Sequence, residues 1–327
     1  MPDPETMLPC ADPRFEAEVD RIEASKFSQH WSLEQSQDYC RSWAKKQYEN
    51  FSVASWLIPR QLRQDFYNVY AYCRWSDNLA DEISNSNRSL ELLDAWGSEL
   101  EVHSEAKHPI LIALSNTIAR HSLPLQPFRD LLIAFRQDQT VLRYANDAEL
   151  LNYCRNSANP VGRILLGLAS ANSPENDALS DRICSGLQIA NFCQDMSRDA
   201  QQGRIYAPRQ RWEQHGVKES EILRGERNES LQGMLGEWAS YARGLLESGL
   251  PLAESVPSWL AVDVRLFAGG GLTILDEIAR ANFDVWTSRP TVSKWQKVRL
   301  LASAWLARSR PQGSPHGATP LPNSKEI

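Results

Sequence analysis

The chain has 327 residues, of which 42% are apolar and 23% charged, with a formal net charge of −6 and a pI near 5.6. This acidic balance argues against a general nucleic-acid-binding protein. The six cysteines lack C-x-x-C spacing and the six histidines lack ligand spacing, which argues against a zinc site or a disulfide framework. Neither a G-x-G-x-x-G fingerprint opening a βαβ unit nor a G-x-x-x-x-G-K-[ST] loop is present.

Apolar residues at helical spacing recur along most of the chain, whereas alternating strand patterns bounded by glycine turns are not evident. Residues 1–14 are proline-rich and acidic and are predicted to be flexible. Residues 308–327 hold almost no large apolar side chain, which predicts a disordered tail. Between them, residues 15–307 are predicted to form a single all-α domain with helices over 40–57, 61–84, 88–104, 109–121, 125–142, 147–170, 177–200, 231–248, 258–280 and 294–307.

The sequence pattern predicts neither a secretory signal nor a membrane span. The N-terminus lacks the basic and apolar blocks of a secretory signal, and no run approaches the ~20 apolar residues of a membrane span. We therefore expect a cytoplasmic protein that makes at most a peripheral membrane contact.

The first candidate site is an aspartate pair, Asp77 and Asp81, on an apolar helical pattern. Residues four apart lie one turn above each other on the same helical face, so the two carboxylates lie side by side. Tyr70 and Arg74 continue that face towards the N-terminus. The helix is therefore predicted to carry one polar stripe that something must satisfy.

A second polar stripe follows in the predicted helix over 177–200. Gln188, Asn191, Asp195 and Asp199 fall on one face, while most of the other positions are apolar. A helix that is apolar almost all round is buried, and its polar stripe must face another polar group, water or a ligand. The two stripes are predicted to face each other across a cavity.

Four converging carboxylates in an apolar setting need cations, and oxygen-only ligands suit Mg²⁺. Such a Mg²⁺ cluster is suited to binding a diphosphate. The alternative is a structural network in which the aspartates pair with the nearby Arg74 or Arg198. An EF-hand is excluded because neither segment has the alternating loop ligands and the central glycine.

Several motifs around these stripes resemble the squalene/phytoene synthase family, the head-to-head prenyl synthases, over most of residues 45–307. The matching segments are NFSVAS and LIP at 50–55 and 57–59, YAYCR at 70–74, YCRNSANPVG at 153–162, Q-x-x-N-x-x-x-D-x-x-x-D at 188–199 and GRIY-x-P at 203–208. Within the family, 49–55, 157–163 and RPTVSKWQK at 289–297 resemble the bacterial hopanoid-pathway branch, and more narrowly its hydroxysqualene synthases.

The resemblance implies an all-α isoprenoid synthase-type helical bundle with a central active-site cavity. It implies that Mg²⁺ bridges the protein to a prenyl diphosphate, and that other pathway enzymes hand over the substrate and take the product. The implied Mg²⁺ ligands are Asp77, Asp81, Asp195 and Asp199. The implied substrate-binding residues are Ser52, Arg74, Gln188, Asn191 and Arg204, and the implied reaction-centre residues are Tyr153, Asn159 and Arg74.

The activity implied by the narrower resemblance is conversion of presqualene diphosphate and water to hydroxysqualene. One water must then reach the carbocation, and Asn159, alone or with Tyr153, is our hypothesis for the group that positions it. Two alternatives stay open. One is a sibling enzyme that acts on farnesyl diphosphate or makes a squalene or phytoene-type product, and the other is a non-catalytic helical binding protein.

Three positions depart from the family pattern. Asn78 stands where a further aspartate is common, and Gln47 where a histidine is frequent. Gln194 replaces an arginine common in phytoene-type relatives, which fits a reaction that begins from a presqualene-type intermediate.

Overall fold

The computed structural model describes residues 12–25, 30–47, 58–293 and 296. Within these ranges the structure is helical, without a β-strand, and its one isolated bridge joins Arg143 to Ile205. The all-α prediction is therefore confirmed. The α-helices are α1 (Pro13–Ser25), α2 (Leu33–Gln47), α3 (Arg63–Asp81), α4 (Ser86–Glu101), α5 (Pro109–His121), α6 (Gln126–Asp138), α7 (Asp147–Ser157), α8 (Asn159–Leu168), α9 (Pro174–Gln201), α10 (Arg209–Gln214), α11 (Glu219–Arg224), α12 (Glu229–Gly249), α13 (Leu252–Ser255) and α14 (Ser258–Arg280).

Local sequence explains where several of these helices begin. Asn146, Ser173 and Asn228 each precede a helix and accept a hydrogen bond from a backbone N–H in its first turn. Such N-caps satisfy donors that have no partner inside the helix. They fix the starts of α7, α9 and α12, three of the helices that carry or support the candidate site.

The prediction of a single helix over 147–170 is wrong, because the chain forms two helices there. α7 ends at Ser157 and α8 begins at Asn159. Pro160 lacks the N–H that would continue the helical ladder, and it disfavours helical geometry at the residue before it. The break changes the direction of the chain and brings residues of both helices to the same cavity.

Buried apolar side chains form two clusters. One contains Phe15, Trp75 and Leu131 on α1, α3 and α6, and the other contains Tyr153 and Trp238 on α7 and α12. The long helix α9 packs against α8, α12 and α14, and α3 packs against α2, α5 and α6. The polar stripes predicted from the sequence therefore lie on central helices of the bundle.

One helix in the described part of the chain is long and apolar enough to cross a membrane by length and composition, which corrects the expectation that no segment meets those criteria. It is α14, Ser258–Arg280. Side chains on it, among them Leu260, Leu275 and Ile278, are buried in the bundle. Core helices pass the same test, so the observation is weak support for a membrane span.

Several predicted features lie outside the described residues. These are the NFSVAS motif with Ser52, the terminal segments 1–11 and 308–327, and nearly all of the helix predicted over 294–307. Helix α1 begins at Pro13, inside the segment predicted to be flexible.

Candidate active site

The first polar stripe lines a cavity of about 370 Å³. Tyr70, Arg74, Asp77 and Asp81 all contribute to its wall from α3. Their spacing places them on one face of the helix. The structure therefore brings together the four α3 residues that the pattern selected.

The other walls of this cavity, the metal-side cavity, come from four helices and one loop. Tyr153 from α7 and Gln188 from α9 are the predicted residues among them, together with Arg204 from the loop after α9. The remaining lining residues were not predicted as site residues: Cys73, Leu131, Phe135, Asp138, Ser157, Val161 and Tyr206.

Carboxylates crowd the α3 side of the metal-side cavity. Burial and then the charge of Asp81 raise the pKa of Asp77 to about 6, although Arg74 opposes the shift. Burial likewise raises the pKa of Asp81, against Arg204 and Arg74. Arg74 pairs with Asp77, and its other nitrogen donates to Glu82 Oε1 at 3.2 Å. The arginine therefore offsets only part of the negative charge, and a cation would stabilise the ionised pair.

The second aspartate pair lies beside the metal-side cavity and does not line it. Burial and then Asp195 raise the pKa of Asp199 to about 7. The positive charge of Arg204 acts on Asp81, Asp138 and Asp199 alike. Arg204 therefore lies within electrostatic reach of both aspartate motifs.

Asp195 is held by an arginine from the segment after α14. Arg289 donates to both carboxylate oxygens, with Nε to Oδ1 at 2.5 Å and Nη2 to Oδ2 at 2.8 Å. Arg198, the predicted structural partner, is more distant at 3.8 Å. Gln194 fixes the segment through a hydrogen bond to the Pro290 carbonyl at 2.6 Å. This two-point contact occupies both carboxylate oxygens of Asp195.

Asp138, the last residue of α6, is a site residue that the sequence did not single out. Its Oδ2 accepts a hydrogen bond from the Tyr153 hydroxyl at 3.1 Å, and its buried Oδ1 has no hydrogen-bond partner in the structure. Burial raises its pKa to about 7. In the sequence, Asp138 falls on the same helical face as Leu131 and Phe135. This spacing alone does not identify a site residue, because a single carboxylate forms no repeated pattern.

An aromatic cluster forms one side of the site. Phe192 and Tyr206 stack with ring centroids 3.8 Å apart, and Tyr153 lies 6.0 Å from Tyr206 and 5.4 Å from Tyr144. The faces of such rings carry partial negative charge and attract cations. The cluster therefore combines an electron-rich surface with the Asp138–Tyr153 hydrogen bond.

A second cavity of about 280 Å³ adjoins the first, and we call it the apolar cavity. Both cavities share Ser157, Val161 and Gln188 in their walls. The apolar cavity is lined mainly by Leu, Ile, Val and Phe side chains of α8, α9 and α14. A charged compartment thus continues into a hydrocarbon-lined one.

Some predicted residues lie away from both cavities. Asn191 is exposed on α9, and Asn159 is buried with its Oδ1 accepting from Ser185 Oγ at 2.9 Å. Asn78 is fully buried, and its side-chain atoms have no hydrogen-bond partner among the residues that the structure describes. The missing aspartate of the family pattern therefore falls at a position that does not line either cavity.

The donor set fits a hard divalent cation. In the described part of the chain no three acidic, histidine or cysteine side chains are grouped closely enough to hold one ion. Mg²⁺ is usually bound through one or two carboxylates, with water and substrate phosphates completing the octahedron. Asp77 and Asp81, which lie side by side in the wall of one cavity, match that incomplete protein shell.

Comparisons with known proteins identify the family of this chain. The squalene/phytoene synthase family model matches residues 44–296. The 15-cis-phytoene synthase of Synechococcus elongatus is 30% identical over 295 residues, which cover 84% of this chain and 94% of that protein. The hydroxysqualene synthase of Rhodopseudomonas palustris is 35% identical over 213 residues, which cover 64% of this chain and 72% of that protein.

The fold gives the same result. The crystal structure of the squalene synthase HpnC from Alicyclobacillus acidocaldarius matches with a TM-score of 0.75 and 38% identity, over 80% of this chain and 99% of that chain. This match confirms the predicted isoprenoid synthase-type bundle. These relatives are named for different products: phytoene, hydroxysqualene and squalene. The chain belongs to the squalene/phytoene synthase family of prenyltransferase-type enzymes.

Proposed function

We propose that this protein converts presqualene diphosphate and water to hydroxysqualene, with release of diphosphate and with Mg²⁺ as its cofactor. The observation that carries the proposal is the pair of joined cavities, one lined by carboxylates and arginines and the other by hydrocarbon side chains. A diphosphate with long hydrocarbon chains has the same two parts. A pocket between bundle helices is also a common place for such ligands.

At the charged end, Asp77 and Asp81 would hold Mg²⁺ from the cavity wall, with Gln188 beside them. Asp195 and Asp199 would hold further Mg²⁺ beside the cavity, with Asn191, which is exposed on the same face of α9, completing the shell. When bound, the metal ions act as Lewis acids towards the diphosphate oxygens. Arg74 and Arg204 would bind other phosphate oxygens, for which the planar guanidinium is suited. Loss of the diphosphate then leaves a carbocation beside the aromatic cluster.

Formation of the alcohol needs a water molecule and an acceptor for its proton. The water oxygen bonds to the cationic carbon, and one proton of that water leaves. We assign the acceptor to Asp138, with Tyr153 holding the carboxylate in position through its hydrogen bond. A carboxyl group with a pKa of about 7 is matched to proton transfer near neutral pH. The sequence points to Asn159 as the group that positions the water, in place of the Asp138–Tyr153 pair. Its side chain bonds to Ser185, and neither residue lines a cavity.

A sibling activity is the second candidate. The similarity to a 15-cis-phytoene synthase spans 84% of this chain, which favours a protein that acts on prenyl diphosphates and makes a hydrocarbon. In that case Asp138 would accept a proton from carbon instead of from water. The two activities differ in product and not in the diphosphate site.

We also propose a cytoplasmic protein that meets the membrane peripherally or exchanges substrate and product with neighbouring pathway enzymes. Phe267 and Val161 support this proposal, since they line the apolar cavity and are 51% and 38% exposed. A water-insoluble product leaves more easily through an apolar rim.

The deciding experiment incubates purified protein and Mg²⁺ with presqualene diphosphate, and separately with farnesyl diphosphate, without NADPH. Mass spectrometry identifies the products. Hydroxysqualene from presqualene diphosphate supports the proposal, and a hydrocarbon or presqualene diphosphate from farnesyl diphosphate moves the function to the sibling. Asp77→Asn and Asp195→Asn should each abolish turnover while the protein stays folded. The surface variant Asp276→Asn should keep the turnover of the unaltered protein.

A further inference from the structure

Among the described residues, one carboxyl group faces the apolar cavity. It belongs to Asp263 on α14, which is 6% exposed and lies between Leu260, Val264 and Phe267 in the cavity wall. The diphosphate chemistry proposed above does not use this residue, because it borders the apolar cavity and not the metal-side cavity.

Asp263 makes no hydrogen bond or ion pair within the part of the chain that the structure describes. Burial is the one cause that raises its pKa, to about 7, and no neighbouring charge opposes the shift. An isolated carboxyl group in apolar surroundings is costly to desolvate, so it retains water wherever it can. A hydrocarbon packed over Asp263 would remove that water and supply no replacement.

Packing places Asp263 away from the first aspartate pair. Trp259, one turn before it, lies 5.7 Å by ring centroid from Phe66, which precedes Asp77 by eleven residues of α3. At 1.5 Å per residue those eleven residues span about 16 Å.

A contact near the middle of α14 shows how far Asp263 lies from the junction of the two cavities. A Cβ atom added at Gly271 would lie 2.9 Å from Leu187, the neighbour of Gln188, where the two cavities join. Asp263 is eight residues before Gly271, about 12 Å of helix. A hydrocarbon chain that enters at Gln188 thus meets Asp263 only after it has filled much of the apolar cavity.

We propose that Asp263 determines chain length by disfavouring a prenyl tail long enough to cover its carboxyl group, so that the cavity accepts farnesyl-length chains in preference to geranylgeranyl-length chains. This inference rests on the proposed binding of prenyl diphosphates and names which of them the cavity takes. A shorter chain stops before Asp263 and leaves its carboxyl group open to hydration. A chain longer by one isoprene unit displaces the water and leaves a buried polar group unsatisfied.

The test measures binding and does not depend on turnover. The S-thiolodiphosphate analogues of farnesyl and geranylgeranyl alcohol are titrated by calorimetry in the presence of Mg²⁺, which gives two dissociation constants and their ratio. Asp263→Leu should improve the relative affinity for the longer analogue about tenfold, equivalent to about 1.4 kcal/mol. Asp263→Asn, which stays polar but loses the charge, should move the ratio about threefold in the same direction, by the same conversion.

Asp276→Asn is the matched control, because this aspartate lies on the same helix and pairs with Arg243 outside both cavities. It should leave the ratio unchanged. A ratio that stays constant in Asp263→Leu and Asp263→Asn, while both analogues still bind, would overturn the inference. Equal weakening of both analogues would do the same. Failure of the unaltered protein to bind either analogue would instead reject the proposed function.

Discussion

Asp138 and Tyr153 form a hydrogen-bonded pair in which each group has a different role. The Tyr153 hydroxyl donates to one carboxylate oxygen of Asp138, while the second oxygen is buried and has no hydrogen-bond partner in the described part of the chain. Burial, and then the Asp138 charge, raise the pKa of Tyr153 well above its ordinary value, so the phenol stays protonated. The pair therefore has one fixed donor and one free acceptor beside the proposed path of the carbocation.

Replacing Asp138 with asparagine should lower turnover of presqualene diphosphate by about 100-fold, the lower range for loss of a general base. The amide keeps the shape of the side chain but accepts a proton poorly. Binding of the farnesyl thiolodiphosphate analogue should change little, because Arg74 and the α3 aspartates are retained. Steady-state kinetics and calorimetry measure the two effects.

Tyr153→Phe is the companion variant, since it removes only the hydroxyl that positions Asp138. It should reduce turnover less than Asp138→Asn. Normal turnover with an unchanged product in Asp138→Asn would exclude Asp138 as the proton acceptor. A shift away from the alcohol in Asn159→Ala, at normal turnover, would restore the rival hypothesis.

If Asp195 binds Mg²⁺ as proposed, Arg289 competes with the metal for it, because Arg289 donates to both of its carboxylate oxygens. Arg289→Ala should therefore tighten Mg²⁺ binding to the substrate-free protein by about two- to fivefold, the range expected for a partly exposed ion pair. Calorimetric titration with Mg²⁺ measures the change. Arg198→Ala removes an equally charged but more distant and more exposed side chain and should have a smaller effect. Equal effects in the two variants would contradict a specific competition.

Residues that repeat at helical spacing were predictable, and isolated ones were not. Asp77 and Asp81 were found because their spacing of four fixes a shared face, and the structure places both in one cavity. Asp138 was missed because its partners come from other helices, so its role depends on tertiary contacts. Asn159 was selected by resemblance, and the direction of its side chain follows from the break between α7 and α8, which the pattern did not reveal.

At the scale of elements, helix ends follow from local chemistry where a strong signal exists. The predicted ranges 109–121 and 258–280 match α5 and α14 to the residue. α5 ends because Ser122 adopts a left-handed conformation with φ of 51°. The short helices α10, α11 and α13 were not predicted, since six residues or fewer carry too little periodicity to separate them from loops.

Close packing of α8 on α9 forms part of the wall of the apolar cavity, which Gly162, Ser180 and Cys184 all line. A Cβ atom at Gly162 would lie 2.2 Å from Ser180 Oγ and 2.8 Å from Cys184 Sγ. Gly162→Ala should therefore lower the free energy of unfolding by about 1–3 kcal/mol through overpacking. Urea denaturation followed by circular dichroism measures the change.

Gly270→Ala is the matched control on α14, because no atom of the described residues outside the adjoining backbone of α14 lies within 4 Å of its added Cβ. It should be neutral or stabilising by about 0.5–1 kcal/mol, since alanine favours the helix interior over glycine. If Gly162→Ala has the same free energy of unfolding as the unaltered protein, the prediction is wrong, and α8 and α9 can move apart at this contact at little cost.

At the scale of the whole molecule, the site concentrates negative charge that the fold alone does not balance. Burial raises the pKa of Asp77 to about 6 and of Asp138 and Asp199 to about 7, above their ordinary value of 3.8. Between about pH 4 and pH 7 the folded state thus binds more protons than the unfolded state. The contribution of these groups to stability is present below pH 4 and is lost as the pH rises through 6 to 7.

The metal-free protein should therefore show a falling midpoint of thermal unfolding from about pH 5.5 to about pH 8. Mg²⁺ binds the deprotonated carboxylates of the folded state, so excess Mg²⁺ should raise the midpoint more at the higher pH. Asp77→Asn with Asp199→Asn should reduce both the pH slope and the Mg²⁺ increment. Asp263→Asn should reduce the slope alone, because Asp263 lines only the apolar cavity. An equal Mg²⁺ increment at both pH values would place the metal away from the titrating aspartates.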